Sequence, residues 1–183
     1  MNLINSIKSL DKSEIFFQEL YESNYDSLMS ICYRYAKNTE QAKAILKEGF
    51  VDIFSAVSCW DIDINADWMK MMMIDASVKY LKRNTQEYMI AGTVKAFNTY
   101  GIQEEEIIDD EIIPHLKAEY VINALQKLSP AYRLIVNMAF VDELSFGKIA
   151  EKLEIGENTA KMNYEKAMHA LRKTIQQLSL NNA

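Results

Sequence analysis

Polar side chains that could contact nucleic acid lie at helical spacing in the C-terminal third of the sequence, between Leu144 and Leu171. The pattern there predicts a short helix from Ser145 to about Leu153 and a longer helix that begins near Glu157. One face of the longer helix is apolar at steps of three and four: Ala160, Tyr164, Ala167, Leu171, Ile175 and Leu178. This pattern is typical of a helix-turn-helix, whose second helix presents its polar face to the DNA major groove.

The turn between these two helices is predicted at Glu154-Ile155-Gly156. We expect Gly156 to take the positive φ that ends the first helix, because glycine has no Cβ to oppose it. The small side chain of Ala150 lets the helices approach closely, and Ile155 can fill the space between them.

No constellation for catalysis accompanies these polar residues. The sequence has no glycine-rich phosphate loop, no GxSxG, no HExxH and no cluster of Cys and His. Glu165 and His169 are four positions apart and could supply two metal ligands, but two ligands do not make a site, and a solvated pair is the plainer interpretation. Cys32 and Cys59 are isolated within apolar helical patterns and are predicted to be core thiols. We therefore predict no enzyme, metal or cofactor.

Composition and charge place further limits. Hydrophobic residues make up 49% of the 183 and charged residues 25%, which predicts a folded chain. The most apolar run, residues 68–74, is too short to span a bilayer and contains Lys70, so we expect a cytoplasmic protein. The net charge of −6 argues against strong DNA binding by the chain alone. Residues 91–120 hold 2 basic and 7 acidic residues, whereas residues 121–183 hold 8 and 6.

The fold class predicted from periodicity is all-α, with two four-helix domains joined by an acidic linker. We place the first domain at residues 1–88, the linker at 89–116 and the second domain at 117–183. The first domain should contain a helix from Ser13, a second from near Ser23 or Asn24, and a third capped by Thr39. Gly49 in that third helix costs roughly 1 kcal/mol relative to Ala, which close approach of a neighbouring helix would explain.

The fourth helix, from about Ala66 to Asn84, carries the positive charge of the first domain at Lys70, Lys79, Lys82 and Arg83. In the second domain, helical periodicity resumes at Lys117. A further helix should begin with Pro130 at its first position, where the missing N–H does no harm. The helix-turn-helix follows it.

Two blocks of the chain resemble a known family. The first reads LYESNYDSLMSICYRYAKNTEQAKAILKEGF, followed by WMKMMMIDASVKYLKRN. The second reads ALQKLSPAYRLIV, followed by SFGKIAEKLEIGENTAKMNYEKAMHALRK. Together they resemble the RNA polymerase sigma factors of the two-domain, extracytoplasmic-function group of the sigma-70 family. The resemblance covers about residues 14–84 and 118–176.

This resemblance implies a transcription initiation factor that binds core RNA polymerase and promoter DNA. It also raises an anti-sigma factor as a partner, because family members are often held inactive by one. It implies core-polymerase docking by Ile45, Leu46, Glu48 and Phe50. It implies binding and opening of the −10 element by Lys70, Lys79, Lys82 and Arg83, with flipped bases held by the loop of residues 58–67. It implies −35 reading by Asn158, Thr159, Lys161, Met162, Glu165 and Lys166. The acidic linker resembles the segment that threads the polymerase's positively charged channel.

The sequence also departs from the family pattern. The docking segment usually reads Ala-Glu-Asp-hydrophobic-x-Gln-Glu, but residues 42–48 here read AKAILKE, with lysines replacing acid and glutamine. Lys166 stands where the recognition helix usually has Arg, and Lys cannot make the two-point contact with guanine that Arg makes. An alternative function therefore stays open: a sigma-like helical interaction module that binds a protein partner and has weakened or lost promoter recognition.

Overall fold

A computed structural model describes residues 3–59, 63–84 and 118–180. Within these ranges the chain is helical and contains no strand, as the sequence predicts. The elements are α1 (Leu3–Tyr35), α2 (Thr39–Cys59), α3 (Ala66–Asn84), α4 (Ala118–Lys127), α5 (Pro130–Val136), a π-helical turn (Asn137–Val141), α6 (Phe146–Leu153) and α7 (Glu157–Leu180). The predicted acidic linker, residues 89–116, lies outside the described residues.

The first helix is one continuous element of 33 residues, and the predicted break near Ser23 and Asn24 is wrong. These polar side chains do not end the helix because they bond within it. The Asn24 side chain donates from Nδ2 to the carbonyl of Leu20 at 2.8 Å, one turn back. No glycine or proline interrupts the segment. We call residues 3–84 the first half of the chain and residues 118–180 the second half. The described residues of the first half therefore form three helices rather than four.

Asparagine side chains cap the next two helices. Asn38 Oδ1 accepts the backbone N–H of Gln41 at 2.9 Å, so the cap of α2 is Asn38 and not the predicted Thr39. In the same way Asn65 Oδ1 accepts the N–H of Trp68 at 2.9 Å at the start of α3. The predicted bounds of α3 agree with the structure.

Gly49 allows α2 and α3 to pack closely, as predicted. A Cβ added at Gly49 would lie 3.3 Å from the Cβ of Ala76 and would overlap the end of the Met73 side chain. The residues that fill the core of the first half include Ile45, Ile53, Met73, Ile74 and Leu81, all fully buried. Burial of each such side chain stabilises the fold by about 1.5–3 kcal/mol.

The second half has the four predicted helices, with the π-helical turn as an addition. Pro130 begins α5, and the Ser129 hydroxyl caps it by accepting the N–H of Tyr132 at 3.4 Å. Its core combines Leu134, Ile135 and Met138 with the apolar faces of α6 and α7.

The two halves contact each other directly. Helix α1 packs against α4 and α5, and α3 packs against α6. The buried apolar side chains of both halves form one continuous cluster. The described residues therefore form a closed arrangement, in which α4 and α5 rest against α1 and the helix-turn-helix contacts α3 through α6.

Candidate nucleic-acid interface

Local backbone geometry shapes the helix-turn-helix. The Ser145 hydroxyl accepts the N–H of Lys148 at 3.3 Å and caps α6. At the other end Glu154 takes the left-handed conformation, with φ 58° and ψ 43°. The prediction that Gly156 would take it was wrong, since no glycine in the described residues has positive φ. Glu154 is tolerated there because its N–H and that of Ile155 bond back to carbonyls of the last turn of α6.

The apolar face of α7 is buried and its polar face is open. Ala160, Ala167, Leu171 and Ile175 are buried, as the spacing predicts. Of the residues predicted to read −35 DNA, Asn158, Lys161, Met162 and Glu165 are exposed, whereas Thr159 and Lys166 are half-buried. Those six side chains thus lie on one helix, and most of them are available to a large ligand.

One polar residue on the packed face of α7 was missed by the sequence reasoning. Asn163 is 1% exposed and lies between Ala160 and Ala167. Its burial could have been predicted, because it lies three positions after the buried Ala160 and therefore on the same face of the helix.

The four predicted −10 cations of α3 are all engaged with carboxylates. Lys79 Nζ lies 3.2 Å from Asp52 Oδ2, and Arg83 Nη2 lies 2.5 Å from Glu48 Oε1, so these two pair with α2. Lys70 and Lys82 instead pair with the second half, with Asp142 at 3.2 Å and Glu154 at 2.7 Å. The basic character of α3 is therefore neutralised within the chain.

Asp142 is the centre of the largest of these contacts. Its side chain is 0% exposed. The Tyr35 hydroxyl donates to Oδ2 at 2.6 Å, Arg34 Nη2 donates to Oδ1 at 3.1 Å, and Lys70 Nζ approaches Oδ1 at 3.2 Å. Burial raises the pKa of Tyr35 well above its ordinary value, and the Asp142 charge raises it further, so the phenol keeps the proton that it donates.

The π-helical turn brings Asp142 to this position. The Asp142 N–H donates to the carbonyl of Asn137 at 2.8 Å, which closes the wide turn. The Asn137 side chain donates from Nδ2 to the carbonyls of Arg34 and Arg133, at 2.9 and 2.8 Å. Neither residue was predicted from the sequence. The contact with Arg34 spans 103 positions, which no local pattern can show.

A second contact joins α3 to α6. Lys82 Nζ donates to Glu154 Oε1 and, at 3.0 Å, to the backbone carbonyl of Lys152. In return Lys152 Nζ forms an ion pair with Asp75 of α3. Hydrogen bonding from Lys82 lowers the pKa of Glu154 below its ordinary value. The start and the end of α3 are thus both bound to the helix-turn-helix half.

Comparison with known proteins agrees with this geometry. Residues 118–179 match the family model described as "Sigma-70, region 4". The "ECF RNA polymerase sigma factor SigW" of Bacillus subtilis (strain 168) is 23% identical over 181 residues, which are 96% of each chain. The fold resembles that of the sigma factor RpoE of Bartonella quintana, solved with the anti-sigma factor NepR. That match has a TM-score of 0.53 and 12% identity, and covers 87% of this chain and 96% of that one.

Residues 118–179 therefore match sigma-70 region 4, and the chain as a whole is similar to extracytoplasmic-function sigma factors. The sigma-70 family consists of transcription initiation factors, which perform no catalysis of their own. Among the described residues no group of three His, Cys, Asp or Glu side chains could hold a metal ion. None of the helices in the described ranges is long and apolar enough to cross a membrane.

The side chains predicted for polymerase docking face inward. Ile45, Leu46 and Phe50 are core residues of the first half, because they form the stripe by which α2 packs on its neighbours. They cannot contact a partner in this conformation. Glu48 is half-buried and paired with Arg83. The outward row of α2 includes Lys43, Lys47 and Val51.

The two cysteines have different surroundings. Cys32 is buried, as predicted, and burial raises the pKa of its thiol to about 12. Cys59 is exposed, so its prediction as a core thiol was wrong. It is the last residue of α2, where the apolar stripe has already ended.

Proposed function

We propose that this sigma factor binds core RNA polymerase and directs it to promoters with two elements, reading −35 duplex DNA with α7 and binding and opening the −10 element with α3. The observation that carries the proposal is the open polar face of α7, whose opposite face is seated on α5 and α6. A major groove admits one α-helix, and the exposed residues of α7 suit contacts to base edges and phosphates.

For the same function we assign residues 1–88 to polymerase and −10 binding, 89–116 to the connecting linker and 117–183 to −35 binding. We propose that α2 docks on core polymerase through its outward row, Lys43, Lys47 and Val51. The partners are then core polymerase, promoter DNA and, as for the RpoE relative solved with NepR, an anti-sigma factor. The site of action is the cytoplasm, where the polymerase works.

Reconstitution tests this function. The purified chain is mixed with the core polymerase of its own organism, and the transcripts from genomic DNA are mapped. We expect transcripts that share a two-part upstream element and are absent without the chain. A folded chain that fails to bind the core polymerase would contradict the proposal.

The second candidate function is a helical interaction module without promoter recognition. The observation that favours it is the complete pairing of the four α3 cations with carboxylates. Footprinting separates the two candidates: polymerase that is captured by the chain but protects no specific DNA would favour the interaction module.

A further inference from the structure

Three side chains of the first half converge on one carboxylate of the second half. Arg34 and Tyr35 end α1, and Lys70 lies in the first turns of α3. Their donors surround both oxygens of Asp142, with Tyr35 at 2.6 Å and Arg34 at 3.1 Å. Tyr35 is fully buried and the Arg34 side chain is 18% exposed, so the group is held in place by the fold. We call Arg34, Tyr35 and Lys70 the anion cluster.

The anion cluster has the chemistry of a phosphate site. The guanidinium of Arg34 reaches both carboxylate oxygens, with Nη1 at 3.5 Å from Oδ2 and Nη2 at 3.1 Å from Oδ1. A planar fork of this kind fits two oxygens of a phosphate as well as it fits a carboxylate. Lys70 adds a second positive charge and Tyr35 a neutral donor. One singly charged anion with two acceptor oxygens satisfies the cluster, and a phosphodiester is such an anion.

We propose that the anion cluster binds a backbone phosphate of single-stranded −10 DNA, and that Asp142 occupies this phosphate position while the two halves are closed. The identification of the ligand as DNA rests on the proposed function, since Lys70 belongs to the helix assigned to the −10 element. Arg34 and Tyr35 are additions to that surface, contributed by α1.

The far end of α3 is arranged in the same way. Lys82 is bound by Glu154 and by the carbonyl of Lys152, both from the helix-turn-helix half. Lys70 and Lys82 lie about 18 Å apart along the helix axis, at a rise of 1.5 Å per residue. Acceptors of the second half therefore occupy cations at both ends of α3, and a strand that follows this helix must displace the second half.

Competition for the same donors couples DNA binding to separation of the halves. If Asp142 and a phosphate cannot occupy the anion cluster together, DNA binds only the open chain. Closure then lowers the affinity for DNA by a certain factor. By thermodynamic linkage, bound DNA shifts the equilibrium between closed and open chains toward the open form by the same factor. Weakening the Asp142 contact should consequently tighten DNA binding, even though no DNA-contacting residue has changed.

Energy transfer between two dyes measures the separation directly. One dye is placed at Ser55→Cys and the other at Gln177→Cys, both exposed positions, in a chain with Cys59→Ser. Cys32 is fully buried and is left in place. The probe is single-stranded oligo(dT), because a phosphate contact needs no promoter sequence. We expect oligo(dT) to lower the transfer in the otherwise unchanged chain and inorganic phosphate to leave it unchanged.

Asp142→Asn keeps the shape of the side chain and removes its charge. We expect it to lower the energy transfer in the absence of DNA. Oligo(dT) should bind roughly ten-fold more tightly if the open, binding-competent chain rises from about a tenth of the molecules to nearly all of them. Freeing the cluster for one phosphate should make the log–log salt dependence steeper by roughly 0.7, the contribution of one phosphate contact on a single strand. In this background Arg34→Gln and Lys70→Gln should each remove most of the gain, whereas Lys37→Gln, an exposed cation outside the cluster, should not.

Two results would overturn the proposal. One is unchanged energy transfer in the labelled chain when oligo(dT) saturates it, and this measurement needs no Asp142 variant to fold. The other is an Asp142→Asn chain whose gain in affinity is indifferent to Arg34→Gln and Lys70→Gln. Because neither polymerase nor promoter enters the experiment, these failures concern the anion cluster alone. A failure in the transcription assay concerns the proposed function instead.

Discussion

The two helices that are candidates for DNA contact, α7 and α3, differ in whether their charged side chains are already engaged. On the reading face of α7 the ion pair is local, between Lys161 and Glu157 of the same helix at 3.1 Å. On α3, by contrast, Lys70, Lys79, Lys82 and Arg83 each pair with a carboxylate outside α3. In the closed chain the −35 candidate surface is open, whereas the −10 candidate surface is partly covered, because the second half binds Lys70 and Lys82 and leaves Lys79 and Arg83 exposed.

The difference follows from where each helix packs. Helix α7 rests on α4, α5 and α6 through one apolar face, which leaves its other face to solvent. Helix α3 lies between α2, α1 and α6, so its polar residues meet neighbours on several sides. The same residue type therefore serves different purposes: an exposed lysine on α7 is a potential contact, whereas Lys70 and Lys82 now hold the halves together.

The largest effect is expected from truncating a side chain that supports the open surface of α7. Ile149→Ala removes a fully buried side chain of α6, against which α7 is seated. We expect it to lower the free energy of unfolding by about 2–5 kcal/mol, from lost burial and the cavity left behind. Urea denaturation measures the loss, and duplex binding at the −35 element should weaken with it.

The control for this change is Ile15→Ala, which truncates the same residue type where it is 52% exposed. It should change the free energy of unfolding by no more than about 0.5 kcal/mol. Equal effects of the two substitutions would contradict the burial of Ile149.

Much of the fold could be predicted because it depends on local periodicity. The stripe on α7, the bounds of α3 and the start of α5 at Pro130 follow from spacing and backbone chemistry within a few residues. The predictions failed where local signals are ambiguous. Asn24 can break a helix or bond within it, and Glu154 can take the left-handed conformation when its N–H is satisfied.

The candidate site could be predicted only in part, for a different reason. Residue types were enough to select the basic positions of α3, and these assignments stay predictions. Which anions they meet depends on contacts across the chain, such as Arg34 with Asp142, 108 positions away. For the same reason the inward direction of Ile45, Leu46 and Phe50 was not visible in a resemblance that concerns the segment as a whole.

The next largest effect is expected at the Asp142 contact, which holds the second half against α3. Tyr35→Phe removes the hydroxyl that donates to Asp142 at 2.6 Å and changes little else. A hydrogen bond to a charged group contributes about 1.5–3 kcal/mol, so the closed arrangement should weaken by an amount in this range. Energy transfer between the halves should fall, and oligo(dT) should bind more tightly unless the lost Tyr35 donor offsets the gain.

Tyr33→Phe is the matched control, because the Tyr33 hydroxyl bonds to Thr39 within the first half. It should leave the transfer between the halves unchanged. If Tyr33→Phe and Tyr35→Phe lowered the transfer equally, the Asp142 contact would not be what holds the halves together.

A smaller effect is expected on the open surface. Lys166→Glu reverses a charge on the polar side of α7, and the loss of one phosphate contact should reduce the log–log salt slope of −35 duplex binding by about 1. Lys173→Glu makes the same charge change two turns further along the helix and serves as its control. The measurement is a titration of the free chain, in which α3 stays covered. Intact duplex binding by the Lys166→Glu chain would mean that the reading face lies elsewhere on α7.

The smallest effect concerns the contact at the end of α3. Because Lys82 lowers the pKa of Glu154, this carboxylate favours the closed arrangement above its ordinary pKa of 4.5, and the contribution disappears as pH falls through the lowered value. Energy transfer should therefore decline on acidification, and less so in Glu154→Gln, which lacks the titrating group. The difference between the two acid profiles isolates Glu154 from the other carboxylates. Coincident profiles would show that the exposed Lys82–Glu154 pair adds nothing to the closed arrangement.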